Sequence, residues 1–174
     1  LPGGIAVIEM SMASGITLLK PHELNPMETS TYGTGEMILD AINHGAKEVY
    51  IGIGGSATND GGMGMAVAFG VRFLDSNGVA LPPKAASLSK IASIDMSGLD
   101  DRIMETKLKI LSDVKNPLCG PTGASVVFAP QKGATAEMVH QLDEGLRHYA
   151  QCIKEHTGKD VVNREGAGAA GGLG

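Results

Sequence analysis

Aromatic residues make up only 3% of the 174-residue sequence, and tryptophan is absent. Basic residues are also few, and the net charge of −5 argues against binding to nucleic acid, which requires a basic stripe. Two cysteines cannot form a disulfide framework, so reduced thiols are expected, as in the cytoplasm. No apolar run reaches the roughly 18 residues of a membrane-spanning helix. We therefore expect a cytoplasmic globular protein that binds neither nucleic acid nor membranes.

Glycine, by contrast, is abundant, with 25 residues, which is roughly twice its average share. Glycines are concentrated in the stretch IGIGGSATNDGGMGMA, residues 51–66, where they interrupt an apolar pattern. Residues 54–62 are called the glycine loop from here on. Chains use glycine where the backbone turns tightly or approaches a ligand closely. The glycine loop is therefore the first candidate for a binding site.

Apolar periodicity divides the chain into alternating strands and helices. Strands are predicted at residues 5–12, 48–54, 107–114 and 124–130, and a hairpin at residues 71–81 around an Asn-Gly turn. Helices are predicted at residues 34–43, 63–69, 84–92 and 135–158, with Thr34 and Thr135 as caps of the first and the last. The last helix has an apolar stripe formed by Met138, Leu142, Leu146, Tyr149 and Ile153. The alternation predicts an α/β fold, a mixed sheet with flanking helices.

One interpretation of the glycine loop is the dinucleotide-binding turn of an NAD(P)-dependent oxidoreductase. Gly52, Gly54 and Ala57 have the required spacing. Asp75 ends the next predicted strand, where a ribose-binding acid belongs. Against this, the glycines at 61–62 would fall in the first two turns of the helix and cost it about 2 kcal/mol relative to alanine. A glycine-rich turn without a ligand is a second interpretation.

A third interpretation is a cradle for an anion. Glycines expose backbone N–H groups, the following helix adds the partial positive charge of its N-terminus, and the hydroxyl groups of Ser56 and Thr58 can donate hydrogen bonds. Asp60 would repel a phosphate unless Mg²⁺ mediates the contact or the carboxylate acts as a base. Such groups suit phosphoryl transfer to an alcohol, and no Walker A pattern occurs. A non-catalytic anion-binding domain would use the same residues.

Polar residues also lie near the ends of other predicted elements. Asp113 and Asn116 lie where the strand at residues 107–114 ends, and ligands of open α/β sheets collect at such ends. An Asx-turn before Pro117 is the alternative for this pair. Lys132 precedes the longest predicted helix, where it could meet a phosphate or a carboxylate. A solvated surface lysine is the simpler interpretation of that residue.

Five long blocks stand out in the sequence, in the order AVIEMSMASGI, NPMETSTYGTGE, IGIGGSATNDGGMGMAVAFGVRFLD, DVKNPLCGPTGASVVFAPQKGA and GAGAAGGLG. Together they resemble the bacterial glycerate kinases of the glycerate 2-kinase type, and the resemblance covers essentially the whole chain. The block around the glycine loop is long and specific. One departure is LSDV, where relatives often read ACDV, and it leaves Asp113 in place.

The resemblance implies transfer of the γ-phosphoryl group of ATP, with Mg²⁺, to the 2-hydroxyl group of D-glycerate, giving 2-phosphoglycerate. It also implies a two-domain α/β protein of about twice this length. Residues 1–164 would then form the central, substrate-side domain, and residues 165–174 would begin the segment that returns to the other domain. A chain that carries one wall of the cleft is expected to be weak or inactive alone. Assembly into a homo-oligomer is left open.

Phosphoryl-transfer sites in general suggest a role for each candidate residue. The expected ligands of phosphate or of the glycerate carboxylate are Gly54, Gly55, Ser56, Thr58, Asn59, Gly61 and Gly62. Asp60 is the expected base or metal contact. Asp113 and Asn116 would position Mg²⁺ or the substrate hydroxyl group, and Lys132 would neutralise charge. Asp60, Asp113 and Lys132 are thus the predicted catalytic residues.

Overall fold

The structure, a computed structural model, describes residues 2–174, which contain five strands and six α-helices. The strands are β1 (Ile5–Glu9), β2 (Glu48–Gly52), β3 (Arg72–Leu74), β4 (Ser93–Asp95) and β5 (Lys107–Leu111). The helices are α1 (Ser11–Ser14), α2 (Tyr32–Asn43), α3 (Met63–Ala68), α4 (Asp101–Glu105), α5 (Ala124–Phe128) and α6 (Ala136–Thr157). None of the helices in this described part of the chain is long and apolar enough to cross a membrane.

The strands form two sheets. The larger has the order β1-β2-β5, and all three strands run parallel, with Ile8 beside Ile51 and Ile51 beside Ile110. β3 and β4 form a separate antiparallel pair. The predicted α/β class with flanking helices is confirmed, with the parallel and antiparallel strands divided between two sheets.

Two apolar clusters form the core. One packs α2 against the parallel sheet and includes Ile38, Val49 and Ile51. The other surrounds α6, where Leu146 is fully buried and the Tyr149 ring meets Phe73 edge to face at 5.5 Å between centroids. The predicted apolar stripe of this helix is therefore confirmed.

The predicted start of α6 is also confirmed. The Thr135 hydroxyl group accepts a hydrogen bond from the Met138 N–H at 3.2 Å. The helix ends before Gly158, whose φ of 76° is the left-handed conformation that favours glycine at this position.

The hairpin around the Asn-Gly turn is confirmed as well. The Asp75 N–H donates to the Val79 carbonyl oxygen at 2.9 Å, and Gly78 has a φ of 76°. The Asp75 carboxylate accepts from the Asn77 and Val79 N–H groups, both at 2.9 Å. This carboxylate, the ribose-binding acid of the dinucleotide interpretation, is therefore engaged in its own turn.

Three local predictions are wrong. The strand predicted at residues 5–12 ends at Glu9, and residues 11–14 form α1 instead. Residues 124–130 were expected as a strand but begin with α5, whose Val126 and Val127 side chains are 41% and 44% exposed. A short apolar run has no periodicity that separates a strand from a helix. Thr34 does not cap α2 but lies buried inside it, hydrogen-bonded to the Ser14 hydroxyl group at 2.9 Å.

One face of the parallel sheet is open. Val7, Tyr50 and Lys109 lie side by side on this face, where Val7 is 69% exposed. Lys109 forms an ion pair with Glu48 and donates to the Tyr50 hydroxyl group at 3.0 Å. Parallel sheets normally have both faces covered, so this face is unusual for its type.

We expect replacement of Leu146 by alanine to destabilise the fold by about 2–5 kcal/mol, because it leaves a cavity where α6 meets the second cluster. Urea unfolding would measure the loss. Met104→Ala is the control, since Met104 is 76% exposed and its truncation should change stability by less than about 0.5 kcal/mol. Equal effects of the two substitutions would contradict the assignment of Leu146 to the core.

Candidate functional site

The three parallel strands end at one edge of the sheet, and three loops leave from it. β1 leads into α1, β2 leads into the glycine loop, and β5 leads into residues 112–117. Crevices at the carboxyl ends of parallel strands are where α/β proteins bind ligands. The glycine loop and Asp113 are therefore at the position that the sequence predicted for them.

Two adjoining cavities open at this edge. The Gly54 cavity, of about 300 Å³, is lined by Gly54, Gly55, Ser56, Lys132 and neighbouring residues. The Asp113 cavity, of about 360 Å³, is lined by Ser112 and Asp113 among others. Both cavities share the walls formed by Ile53, Gly54, Val114 and Ala170. Such volumes are at the small end of the range for ligand pockets.

Gly54 differs from every other glycine of the described chain. A Cβ added at residue 54 would meet no atom within 4 Å, and the backbone there is not left-handed. Each other glycine of residues 3–174 either has a positive φ or would bring a Cβ within 3.3 Å of another atom. Folding therefore does not require glycine at this position. Because glycine has no side chain, the backbone at residue 54 is exposed to the cavity.

Three successive backbone N–H groups in this part of the loop have no partner. Those of Gly54, Gly55 and Ser56 donate to no acceptor within residues 2–174. The loop is nevertheless held in place, because the Ile16 N–H donates to the Gly55 carbonyl oxygen at 2.8 Å and the Ala57 N–H to the Ser14 carbonyl oxygen at 2.9 Å. A fixed backbone with several free N–H groups is an anion-binding arrangement.

Lys132 lies inside the protein rather than on its surface. Its side chain is among the most deeply buried, at 1% exposure, and its ammonium group donates to Ser56 Oγ at 2.8 Å and to the Thr58 carbonyl oxygen at 2.6 Å. Both acceptors are neutral. Burial lowers the pKa of Lys132 to about 8, although the Asp60 charge opposes the shift. The site thus holds a buried cation without a carboxylate bonded to it.

Asp60 is completely buried and is surrounded by hydrogen-bond donors. Its Oδ2 accepts from the Thr31 N–H and hydroxyl groups, both at 2.8 Å, and from the Gly64 N–H at 3.1 Å. Its Oδ1 accepts from the Gly62 N–H at 3.3 Å. Burial raises the pKa of Asp60, while these donors favour the carboxylate. As a base or a metal ligand, Asp60 would first have to leave these donors.

The rest of the glycine loop turns away from the cavities. The Asn59 amide donates to Ser125 Oγ at 2.9 Å, while its Oδ1 and the Thr58 hydroxyl group lack partners among residues 2–174. Gly61 and Gly62 have φ values of 61° and 76°. Thr58, Asn59, Gly61 and Gly62 are therefore not brought to the cavity that Gly54, Gly55, Ser56 and Lys132 line.

Asp113 and Asn116 are separated by the structure. Asp113 is exposed and lines its cavity, whereas the Asn116 amide donates to the Thr122 carbonyl oxygen at 2.8 Å within its own loop. Within residues 2–174 no group of three or more histidine, cysteine, aspartate or glutamate residues could hold a metal ion. Asp60 and Asp113 as joint Mg²⁺ ligands therefore remain a prediction.

Six residues that line the Gly54 cavity were missed by the sequence analysis: Ile16, Ile53, Val114, Phe128, Gln131 and Ala170. Gln131 could have been found as the neighbour of Lys132. Ala170 carries no such signal, since alanine has no chemistry of its own and its position depends on how the last residues of the chain fold back.

These features define the class: an α/β domain with a candidate anion-binding loop at the carboxyl edge of a parallel sheet. The chain belongs to the glycerate kinase family, whose model matches residues 1–174. This confirms the resemblance that the five blocks indicated.

Several similar proteins are named as glycerate kinases. The chain is 53% identical to the glycerate kinase of Halalkalibacterium halodurans and 48% identical to the glycerate 2-kinase of Escherichia coli K12, and in both it covers 45% of the relative. Its fold matches the crystal structure of a protein described as glycerate kinase 2 from Salmonella typhimurium LT2, with a TM-score of 0.94, 46% identity and 97% of this chain covered. The chain spans a little under half the length of these relatives.

We expect Asp60→Asn to destabilise the protein by at least about 3 kcal/mol, because an amide group would face donors that now meet a carboxylate. Urea unfolding at pH 7 would measure the change. Asp101→Asn is the matched control, because Asp101 is exposed and should tolerate the same substitution within about 0.5 kcal/mol. Wild-type stability in Asp60→Asn would show that the four contacts do not hold the loop.

Proposed function

We propose that this chain carries the acceptor side of a glycerate kinase, which transfers the γ-phosphoryl group of ATP to the 2-hydroxyl group of D-glycerate and forms 2-phosphoglycerate. Family membership and the names of the relatives support the kinase activity. The observation that carries the proposal is the bare backbone at Gly54, beside free N–H groups and a buried lysine.

The Gly54 cavity suits a small acid. D-glycerate is a three-carbon anion, and a cavity of about 300 Å³ has room for it. The N–H groups of Gly54, Gly55 and Ser56 would hold its carboxylate or the transferred phosphoryl group. Lys132 would neutralise the charge that develops during transfer, and burial strengthens its effect because little water screens it.

In this proposal Mg²⁺ would be held by Asp113 rather than by Asp60. Mg²⁺ is usually held by one or two carboxylates together with substrate phosphates, and Asp113 presents an exposed carboxylate in the adjoining cavity. A bound Mg²⁺ would supply neutralisation of phosphate charge. In this proposal Asp60 keeps its four donors and holds the loop, so it acts as a positioning residue.

We further propose that residues 1–164 form the substrate-side domain of a two-domain enzyme and that residues 165–174 lead toward the other domain. The relatives' greater length supports this, as does the open face of the parallel sheet. The nucleotide would then bind mainly to the other domain, and this chain alone would be weak or inactive. We place the enzyme in the cytoplasm, without nucleic-acid or membrane partners, and leave assembly into a homo-oligomer for measurement.

Gly54→Ala should weaken substrate binding without harming the fold, because the added methyl group enters the cavity and touches no protein atom. We expect KM for D-glycerate in the full-length protein to rise at least about tenfold, with the melting temperature unchanged. Gly78→Ala is the reciprocal control: the turn glycine at φ 76° also has open space, so alanine there should lower stability and leave KM unchanged.

Three results would decide against the proposal. An unchanged KM in Gly54→Ala would remove the loop from the acceptor site. Absence of ATP-dependent phosphorylation of D-glycerate by the full-length protein would overturn the kinase activity. Binding of D-glycerate without turnover would favour the non-catalytic anion-binding domain instead.

The affinity for D-glycerate should fall as the pH rises through about 8, the pKa of Lys132 in the free protein. Only the charged lysine attracts the anion, so the dissociation constant is expected to rise up to about tenfold per pH unit above this value. Calorimetric titration between pH 6.5 and 9.5 would measure it. Lys132→Met should bind weakly across the whole range, and a flat wild-type profile would show that the Lys132 charge does not contribute.

A further inference from the structure

Ala170 has a backbone conformation that alanine rarely adopts. Its φ of 50° and ψ of 37° make it the only non-glycine residue of positive φ in residues 2–174. The left-handed conformation brings the Cβ atom close to the following carbonyl oxygen. Nearby positions with positive φ, Gly166, Gly171 and Gly172, are all glycine. Position 170 keeps a methyl group where glycine would be less strained.

The conformation is imposed from both sides. The Gly168 N–H donates to the Asn116 carbonyl oxygen at 2.9 Å, and the Gly61 N–H donates to the Gly171 carbonyl oxygen at 3.0 Å. A Cβ at Gly168 would lie 2.2 Å from the Pro117 carbonyl oxygen. The turn is therefore clamped between the loop after β5 and the glycine loop, and this clamp can maintain a strained residue.

The methyl group at this position lies at the edge of a core cluster, where it is partly buried, and not inside the cluster. Ala169 is the buried alanine of the turn, at 1% exposure, and packs in the cluster beneath the sheet. Ala170 is only partly buried and lines both the Gly54 cavity and the Asp113 cavity. The strained residue therefore stands where the two cavities adjoin.

We propose that Ala170 is a specificity-determining residue, whose methyl group limits the length of the hydroxy acid that the two adjoining cavities admit. This inference rests on the proposed function, since it assumes that the acceptor binds in the Gly54 cavity. Without the methyl group, the shared wall recedes and a longer acid can extend toward Asp113. The methyl group would then exclude longer acceptors by size, and this selectivity would offset the strain at Ala170.

The test is Ala170→Gly in the full-length protein, with D-glycerate and the four-carbon acid D-erythronate as substrates. We expect the ratio of kcat/KM for D-erythronate to that for D-glycerate to rise at least fivefold. The melting temperature should rise by about 2 °C because the strain is relieved. Ala170→Ser, which keeps a Cβ and adds an atom, should lower the ratio or leave it unchanged.

Ala85→Gly is the control for loss of a methyl group elsewhere. Ala85 is 4% exposed in the other cluster, so the substitution should lower the melting temperature and leave the ratio at its wild-type value. An unchanged ratio in Ala170→Gly, while wild type phosphorylates D-glycerate, would overturn the inference and leave the proposed function standing.

Calorimetric titration with the two acids tests the role of Ala170 independently of turnover. If the wild-type protein shows no turnover, the proposed function fails, yet the relative affinities of the wild type and Ala170→Gly still decide the role of Ala170. A shift toward D-erythronate would support it. Equal relative affinities, or no binding of either acid by the wild type, would overturn it.

Discussion

The buried carboxylate of Asp60 joins the loop at residues 29–31, the glycine loop and the start of α3. A carboxylate taken out of water is costly unless donors replace the lost hydration. Two of the four donors here belong to Thr31, 29 positions away, and the other two are the N–H groups of Gly62 and Gly64. Those segments must therefore assemble around it together. Because the second half of the glycine loop is fixed in this way, its first half can stay rigid while its own N–H groups remain free.

The glycine loop contains glycines of two kinds, which look alike in the sequence. Gly61 has a positive φ, and a Cβ there would lie 2.9 Å from the Tyr149 ring, so the fold requires it. At Gly54 neither restriction applies, because its φ is not positive and an added Cβ would meet no atom within 4 Å. The loop thus combines a structural half and an exposed half within nine residues, and the buried Lys132 bridges them through Ser56 Oγ and the Thr58 carbonyl oxygen.

Local pattern predicted those parts of the fold that local forces determine. The stripe and cap of α6 and the Asn-Gly hairpin follow from residues a few positions apart, and both are confirmed. The environment of Asp60 does not follow from nearby residues, since its partner Thr31 lies 29 positions away. Lys132 looked like a surface lysine because its burial depends on contacts 74 and 76 positions distant. The sequence thus indicated the chemistry of the candidate site, while its division into lining and interior residues required the tertiary structure.

The clamp on the turn at residues 168–172 also has a consequence for biosynthesis. During synthesis the glycine loop emerges from the ribosome well before Ala170 does. The N–H groups of Gly54 to Ser56 are then exposed without the wall that the turn supplies. Contacts of such high sequence separation form late and slow folding. The cradle therefore acquires its final shape only near the end of translation of this segment, when the last glycines dock on the loop made near its beginning.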